Sequence, residues 1–127
     1  MESNLMRKSL PRDFGTCPFV TAQKLLQGKW SIVILHHLNG TTLRFNELQK
    51  RMPELTHSTL SSQLKQLESE GLISRKVFAE VPPRVEYSLT EIGHKFGPVL
   101  DSIEQWGNDY IGYLSDVKNG RKSQENS

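Results

Sequence analysis

Apolar positions recur along this chain with two periods, about 3.6 and 2, and the switches between them predict its elements. Residues 1–16 show neither period and, with Pro11 and Gly15, read as an N-terminal arm. Pro18 suits the first turn of a helix running to about Gln27, with Gly28 as its C-cap. Residues 30–38 (WSIVILHHL) are apolar on most sides, as in a buried helix or a buried strand. A short central helix agrees better with the helical segments that follow. Residues 43–45 (LRF) allow a short edge strand, and Phe45, Leu48 and Met52 set a helix over 46–52 that Pro53 stops. The next stretch, 55–67, reads LTHSTLSSQLKQL. Thr56 is a good N-cap, Leu55 and Leu60 occupy the two positions of a hydrophobic staple, and the helix runs to Glu70 before Gly71. Residues 72–80 and 84–90 take the strand period: Val85, Tyr87 and Leu89 alternate with Arg84, Glu86 and Ser88 beyond a Val81-Pro82-Pro83 tip. Ile92, Phe96, Val99, Ile103, Trp106 and Tyr110 return to helical spacing. They predict one helix over 91–115, roughly 35 Å long. Residues 116–127 are polar and are expected to be disordered.

Two short helices joined by a tight turn and followed by a hairpin make a winged helix-turn-helix. The expected fold is mainly α with a small β-hairpin wing. Residues 17–90 form the DNA-binding part, and 91–115 form a long C-terminal dimerisation helix in the same compact domain. In this arrangement the second helix enters the major groove and the first crosses the backbone. At about 100° per residue, Leu64 and Leu67 fall within about 40° of Leu60, while Ser58, Ser62 and Lys65 fall on the far side. Thr59, Ser61 and Gln66 flank that side, and His57 lies nearer the leucines and ranks lower. Hydroxyls and amides donate and accept hydrogen bonds to base edges and phosphates, and lysine adds a cation. No acid enters the face before Glu68, and Glu68 and Glu70 are expected at the helix end pointing away from DNA. A solvated polar face would look similar alone; the tight turn and the hairpin with Arg75, Lys76 and Arg84 favour DNA. The candidate DNA contacts are Arg44, Thr56, Ser58, Thr59, Ser61, Ser62, Lys65, Lys76 and Arg84. Arg44 has a competing partner in Glu47, three residues on.

Composition narrows the function further. The 127 residues suit one domain, and 35% hydrophobic with 24% charged residues fits a soluble globular protein. No apolar run approaches the ~20 residues of a membrane span, and MESNLMRKSLPRDFG lacks the apolar block of a signal peptide. A cytoplasmic protein without membrane contact is expected. A net charge of +2 permits nucleic-acid binding without arguing for it, so charge placement carries that reading. His36, His37, His57, His94 and the lone Cys17 have no metal-ligand spacing, and no glycine-rich phosphate loop is present. Neither an enzyme nor a cofactor or metal protein is indicated. Cys17 is either a small packed hydrophobe or a reactive thiol; the helix N-terminus it precedes favours anions.

With CP (17–18), GKW (28–30), LRFNEL (43–48), LTHSTLSSQLKQLESEGLISR (55–75), VPPRVEYSLTEIG (81–93) and WG (106–107), the sequence resembles the HxlR-type winged helix-turn-helix regulators. That bacterial family is related in fold to the MarR type, and the resemblance covers about residues 17–110. It implies a homodimeric transcription factor on a palindromic operator in double-stranded DNA, usually a repressor of its own or a neighbouring operon. The dimer interface is then built from the N-terminal and C-terminal helices. It also implies a possible small-molecule or oxidant effector, since some of these proteins sense oxidants or electrophiles at a cysteine in the CP motif. Cys17 is therefore the candidate sensing residue, able to join a second Cys17 or be capped by a small thiol. The seam of Ile92, Phe96, Val99, Ile103, Trp106 and Tyr110 predicts a dimer interface independently. Trp30, Ile32, Val33, Ile34, Leu35 and the leucines of 55–72 already supply a core. Gly93, Gly97, Gly107 and Gly112, each costing about 1 kcal/mol inside a helix, suit the close approach of another backbone. The alternative is a winged helix used only for protein–protein contact, with no salt-dependent DNA affinity.

Overall fold

The computed structural model describes residues 10–120, so most of the arm and the end of the tail lie outside the described residues. The chain divides into two compact units that part between His94 and Lys95. The first holds α1 (Pro18–Leu25), α2 (Ser31–Leu38), β1 (Leu43–Arg44), α3 (Phe45–Arg51), α4 (His57–Ser69), β2 (Ile73–Phe78), β3 (Arg84–Leu89) and the single turn α5 (Glu91–His94). The second holds α6 (Gly97–Lys118).

Local chemistry explains most boundaries. α1 ends at Leu25, earlier than expected, and Gly28 is not its cap. A side chain at Gly28 would collide with the Ser31 hydroxyl three residues on and lie 2.8 Å from the end of the Gln63 side chain. α2 is the helix that its apolar run allowed, but it buries one stripe only: Ser31, Ile34, Leu35 and Leu38. Ile32 is exposed and Trp30 half-buried, so the core draws on fewer of these residues than expected. α4 follows its sequence closely. The Thr56 hydroxyl accepts the Thr59 N–H at 3.0 Å, and the staple residues Leu55 and Leu60 are buried. Gly71, at φ 81°, lets its own N–H reach the Glu68 carbonyl (3.0 Å) and the Leu72 N–H reach that of Leu67 (3.1 Å), which closes the helix. Leu60, Leu64 and Leu67 are buried, and each stabilises the fold by about 1.5–3 kcal/mol.

The hairpin gains a third strand. The sheet is antiparallel in the order β1-β3-β2, with Leu43 opposite Tyr87 and Arg44 opposite Glu86. Across β2 and β3, Ile73 opposes Leu89, Arg75 opposes Tyr87, Lys76 opposes Glu86 and Phe78 opposes Arg84. Direct partners share a face. Leu43, Ile73, Tyr87 and Leu89 therefore make the buried face. Arg44, Lys76, Phe78, Arg84 and Glu86 lie on the other.

The single C-terminal helix expected over 91–115 is broken. Pro98 stands in the first turn of α6 and has no N–H for the carbonyl one turn back, so a helix cannot run unbroken through residues 95–97. α6 forms its own unit and extends to Lys118, three residues beyond the expected end. Thr90 caps α5 by accepting the Gly93 N–H at 3.1 Å. Gly93 does meet a backbone, but that of its own chain: an added Cβ would collide with the Leu72 carbonyl, while Gly107 and Gly112 face open space. Gly93→Ala is expected to lower stability by about 1–3 kcal/mol, although alanine is the better helix former by about 1 kcal/mol. A urea midpoint that stays level or rises would refute this. No helix among the described residues is long and apolar enough to cross a membrane.

Candidate DNA interface

α3 and α4 are held at a fixed angle by their turn. Leu55 donates its N–H to the Met52 carbonyl at 3.1 Å, and the Gln49 amide donates to the Leu55 carbonyl at 2.7 Å. Gln49 thus ties the end of α3 to the start of α4. Sequence reasoning passed over it; an amide one turn before a proline-containing turn was the available signal.

From that anchor α4 presents its polar face. Ser58, Ser62 and Lys65 are exposed, and Thr59 and Ser61 are half-buried at its edges. A shallow groove is lined by His57, Ser58, Ser61, Ser62, Lys65 and Gln66. The far-side residues of the angular count therefore come together. Thr56 and Thr59 are partly occupied with each other, because the Thr56 hydroxyl donates to the Thr59 hydroxyl at 2.9 Å. His57, ranked below the others by angular position, lines the groove with them. It is exposed in the first turn, ahead of the leucine stripe, with its ring 4.4 Å from that of Phe45.

The acids at the end of α4 separate. Glu70 receives a hydrogen bond from the Gln66 amide at 2.9 Å. Burial pushes its carboxyl above the usual carboxylate range, against the opposing effects of that bond and of Lys24. Glu68, expected to point away, instead shares a cleft with His57, Lys65 and Arg75. At the end of α2, burial holds His37 below the usual histidine range, with His36 and Arg51 adding to the shift.

The basic residues also divide. Arg75 stands on the sheet face that carries Tyr87, beside Lys65. Arg44, Lys76 and Arg84 stand on the opposite face, around Glu86. The competition between Glu47 and DNA for Arg44 takes a different form: the Glu47 carboxylate accepts the Arg44 backbone N–H at 2.7 Å and so caps α3. Among the described residues the Arg44 guanidinium has no ion pair, and its side chain borders a cleft beneath the wing tip. Arg84 is ion-paired to Glu80 and Glu86. Cys17 is a free, half-buried thiol at the N-cap of α1. No group of metal-binding side chains occurs among the described residues.

Known proteins share this architecture. Residues 25–114 match the family described as HxlR-like helix-turn-helix. The HTH-type transcriptional regulator YdeP of Bacillus subtilis (strain 168) is 40% identical over 113 residues, covering 89% of this chain and 88% of YdeP. The redox regulator HypR in its reduced form superposes with a TM-score of 0.74 at 34% identity, over 79% of this chain and 99% of HypR. The reduced transcriptional regulator YodB from B. subtilis gives a TM-score of 0.66 at 31% identity, over 75% and 94% of the two chains. With these matches over a winged helix-turn-helix that exposes a hydroxyl-rich second helix, the chain belongs to the HxlR-like family of DNA-binding transcriptional regulators, which are not enzymes.

Proposed function

We propose that this protein acts in the cytoplasm as a homodimer that binds a palindromic operator and represses its own or a neighbouring operon. The observation that carries this reading is the α4 face, where exposed Ser58, Ser62 and Lys65 line one groove with no acid between them. Ser58 and Ser62 suit base edges, Lys65 a base or a phosphate, and Thr56, Thr59 and Ser61 the groove edges. His57 joins them in the first turn, the part of a recognition helix that meets base edges. Arg44 at the start of α3 suits a phosphate, as does Lys76 on the wing. In a two-fold dimer the two α4 helices would occupy major grooves about one helical turn, ~34 Å, apart.

Cys17 is the proposed sensing thiol. It is the chain's single cysteine and stands half-buried at a helix N-terminus, and the chain is similar to a protein described as a redox regulator. An oxidant such as a peroxide would take two electrons from the thiol. The resulting sulfenic acid then condenses with a second thiol, releasing water. Gel shifts with the DNA directly upstream of the coding sequence test both parts. The expected result is a shifted band that weakens steeply between two salt concentrations and is lost on oxidant treatment. Cys17→Ser keeps the band in oxidant. A band insensitive to salt removes the operator reading, and identical binding with and without oxidant removes the sensor.

A further inference from the structure

We infer that Arg84 positions the wing tip and makes no phosphate contact. Its Nη1 lies 3.0 Å from the Glu80 carboxylate and its Nε 3.2 Å from that of Glu86, while its guanidinium carbon stands 4.0 Å over the Phe78 ring. Phe78 ends β2, Arg84 begins β3, and Glu80 belongs to the tip between them. One planar fork therefore joins both strands and the loop that connects them. The tip has little else to hold it, since Val81, Pro82 and Pro83 are exposed.

Charge and burial agree with a positioning role. One guanidinium between two carboxylates leaves the cluster with a formal charge of −1, so it has no surplus cation to release counterions from a phosphate. Reaching a phosphate would break two ion pairs and the ring stack together. The Arg84 side chain is also only 28% exposed. Single surface ion pairs are weak, but a planar guanidinium held by two carboxylates and a ring is ordered at several points at once. Lys76, 5.1 Å over the same ring, is not ion-paired among the described residues, and with Arg44 on the same face it is available to DNA.

The inference rests on DNA binding through α4, and the salt dependence of binding tests the two separately. Affinity for a duplex from directly upstream of the coding sequence is measured by fluorescence anisotropy from about 50 to 200 mM salt. R84Q is expected to bind about 3–10-fold more weakly at every salt, with an unchanged slope of log K against log salt. K65Q flattens the slope by about 0.9 for each phosphate it no longer neutralises. An R84Q slope that flattens as much as that of K65Q overturns the inference. A K65Q slope that stays level strikes the placement of α4 and leaves the comparison of R84Q with wild type standing. If R84Q does not fold, E80Q/E86Q decides. A guanidinium freed of both carboxylates should steepen the slope by about 0.9 for each phosphate it then neutralises, and an unchanged slope overturns the inference.

Discussion

Lys65→Glu is expected to abolish operator binding while leaving self-association and folding unchanged. Lys65 is exposed and shares the groove of Ser58 and Ser62, so its side chain supports none of the core. Lysine and glutamate have similar helix propensities, and the apolar stripe of Leu60, Leu64 and Leu67 lies on the far side of α4. The loss is therefore electrostatic. A phosphate or base contact disappears, and a carboxylate takes its place in the cleft already occupied by Glu68. At roughly 2 kcal/mol per recognition helix, two helices lose about 4 kcal/mol, on the order of 10³-fold in affinity. Ser62→Glu should act the same way, because it puts a carboxylate on the same groove. Anisotropy with upstream DNA reads the affinity, and circular dichroism and sedimentation check fold and mass. If Lys65→Glu binds normally, α4 does not occupy the major groove.

Features that were legible in the sequence depend on near neighbours. The Thr56 cap, the Leu55 and Leu60 staple and the Gly71 terminus each involve residues within about a turn of one another, so spacing alone identifies α4. The angular sorting of Ser58, Ser62 and Lys65 followed from the same regularity. Features set by distant partners were not legible. Gly28 resembles a cap by sequence, but α1 has already ended at Leu25. The strand period alone separates Arg75 from Lys76, but only the β2–β3 register shows that Arg84 joins Lys76 on its face. The exposure of His57 was not legible from the angular count, which treats the first turn as though the core extended under it. The break before α6 was visible in Pro98, but the seam runs through Ile92, Phe96 and Val99 across it without a change of spacing.

That seam leads to the second large effect. Trp106→Glu is expected to convert the proposed homodimer to a monomer at micromolar concentration, and to abolish operator binding with it. On α6, Val99, Trp106, Tyr110 and Leu114 are exposed, with Trp106 at 67%. Trp106 stacks on Tyr110 at 5.5 Å, and Tyr110 meets Tyr113 at 5.4 Å, so the rings form one continuous stripe. Asp101, Glu104 and Asn108 occupy the reverse of the helix by angular position. Large contiguous apolar surfaces of this kind mark association sites in soluble proteins. Burying roughly 100 Å² of Trp106 in each protomer contributes about 2.5 kcal/mol per copy. Glutamate removes both contributions and brings two like charges into the interface, so dimer affinity should fall at least about 10³-fold. DNA binding falls too, because two linked half-sites gain on the order of 10²–10⁴ in avidity that one half-site lacks. Sedimentation gives the mass, and Asn108→Glu on the reverse of the helix should leave it unchanged. Circular dichroism should stay native in both variants, because Trp106 is exposed within the protomer and its loss opens no cavity there. A Trp106→Glu protein that sediments as a dimer would place the partner elsewhere on the chain, and equal loss with Asn108→Glu would show that charge on α6, not the aromatic stripe, governs association.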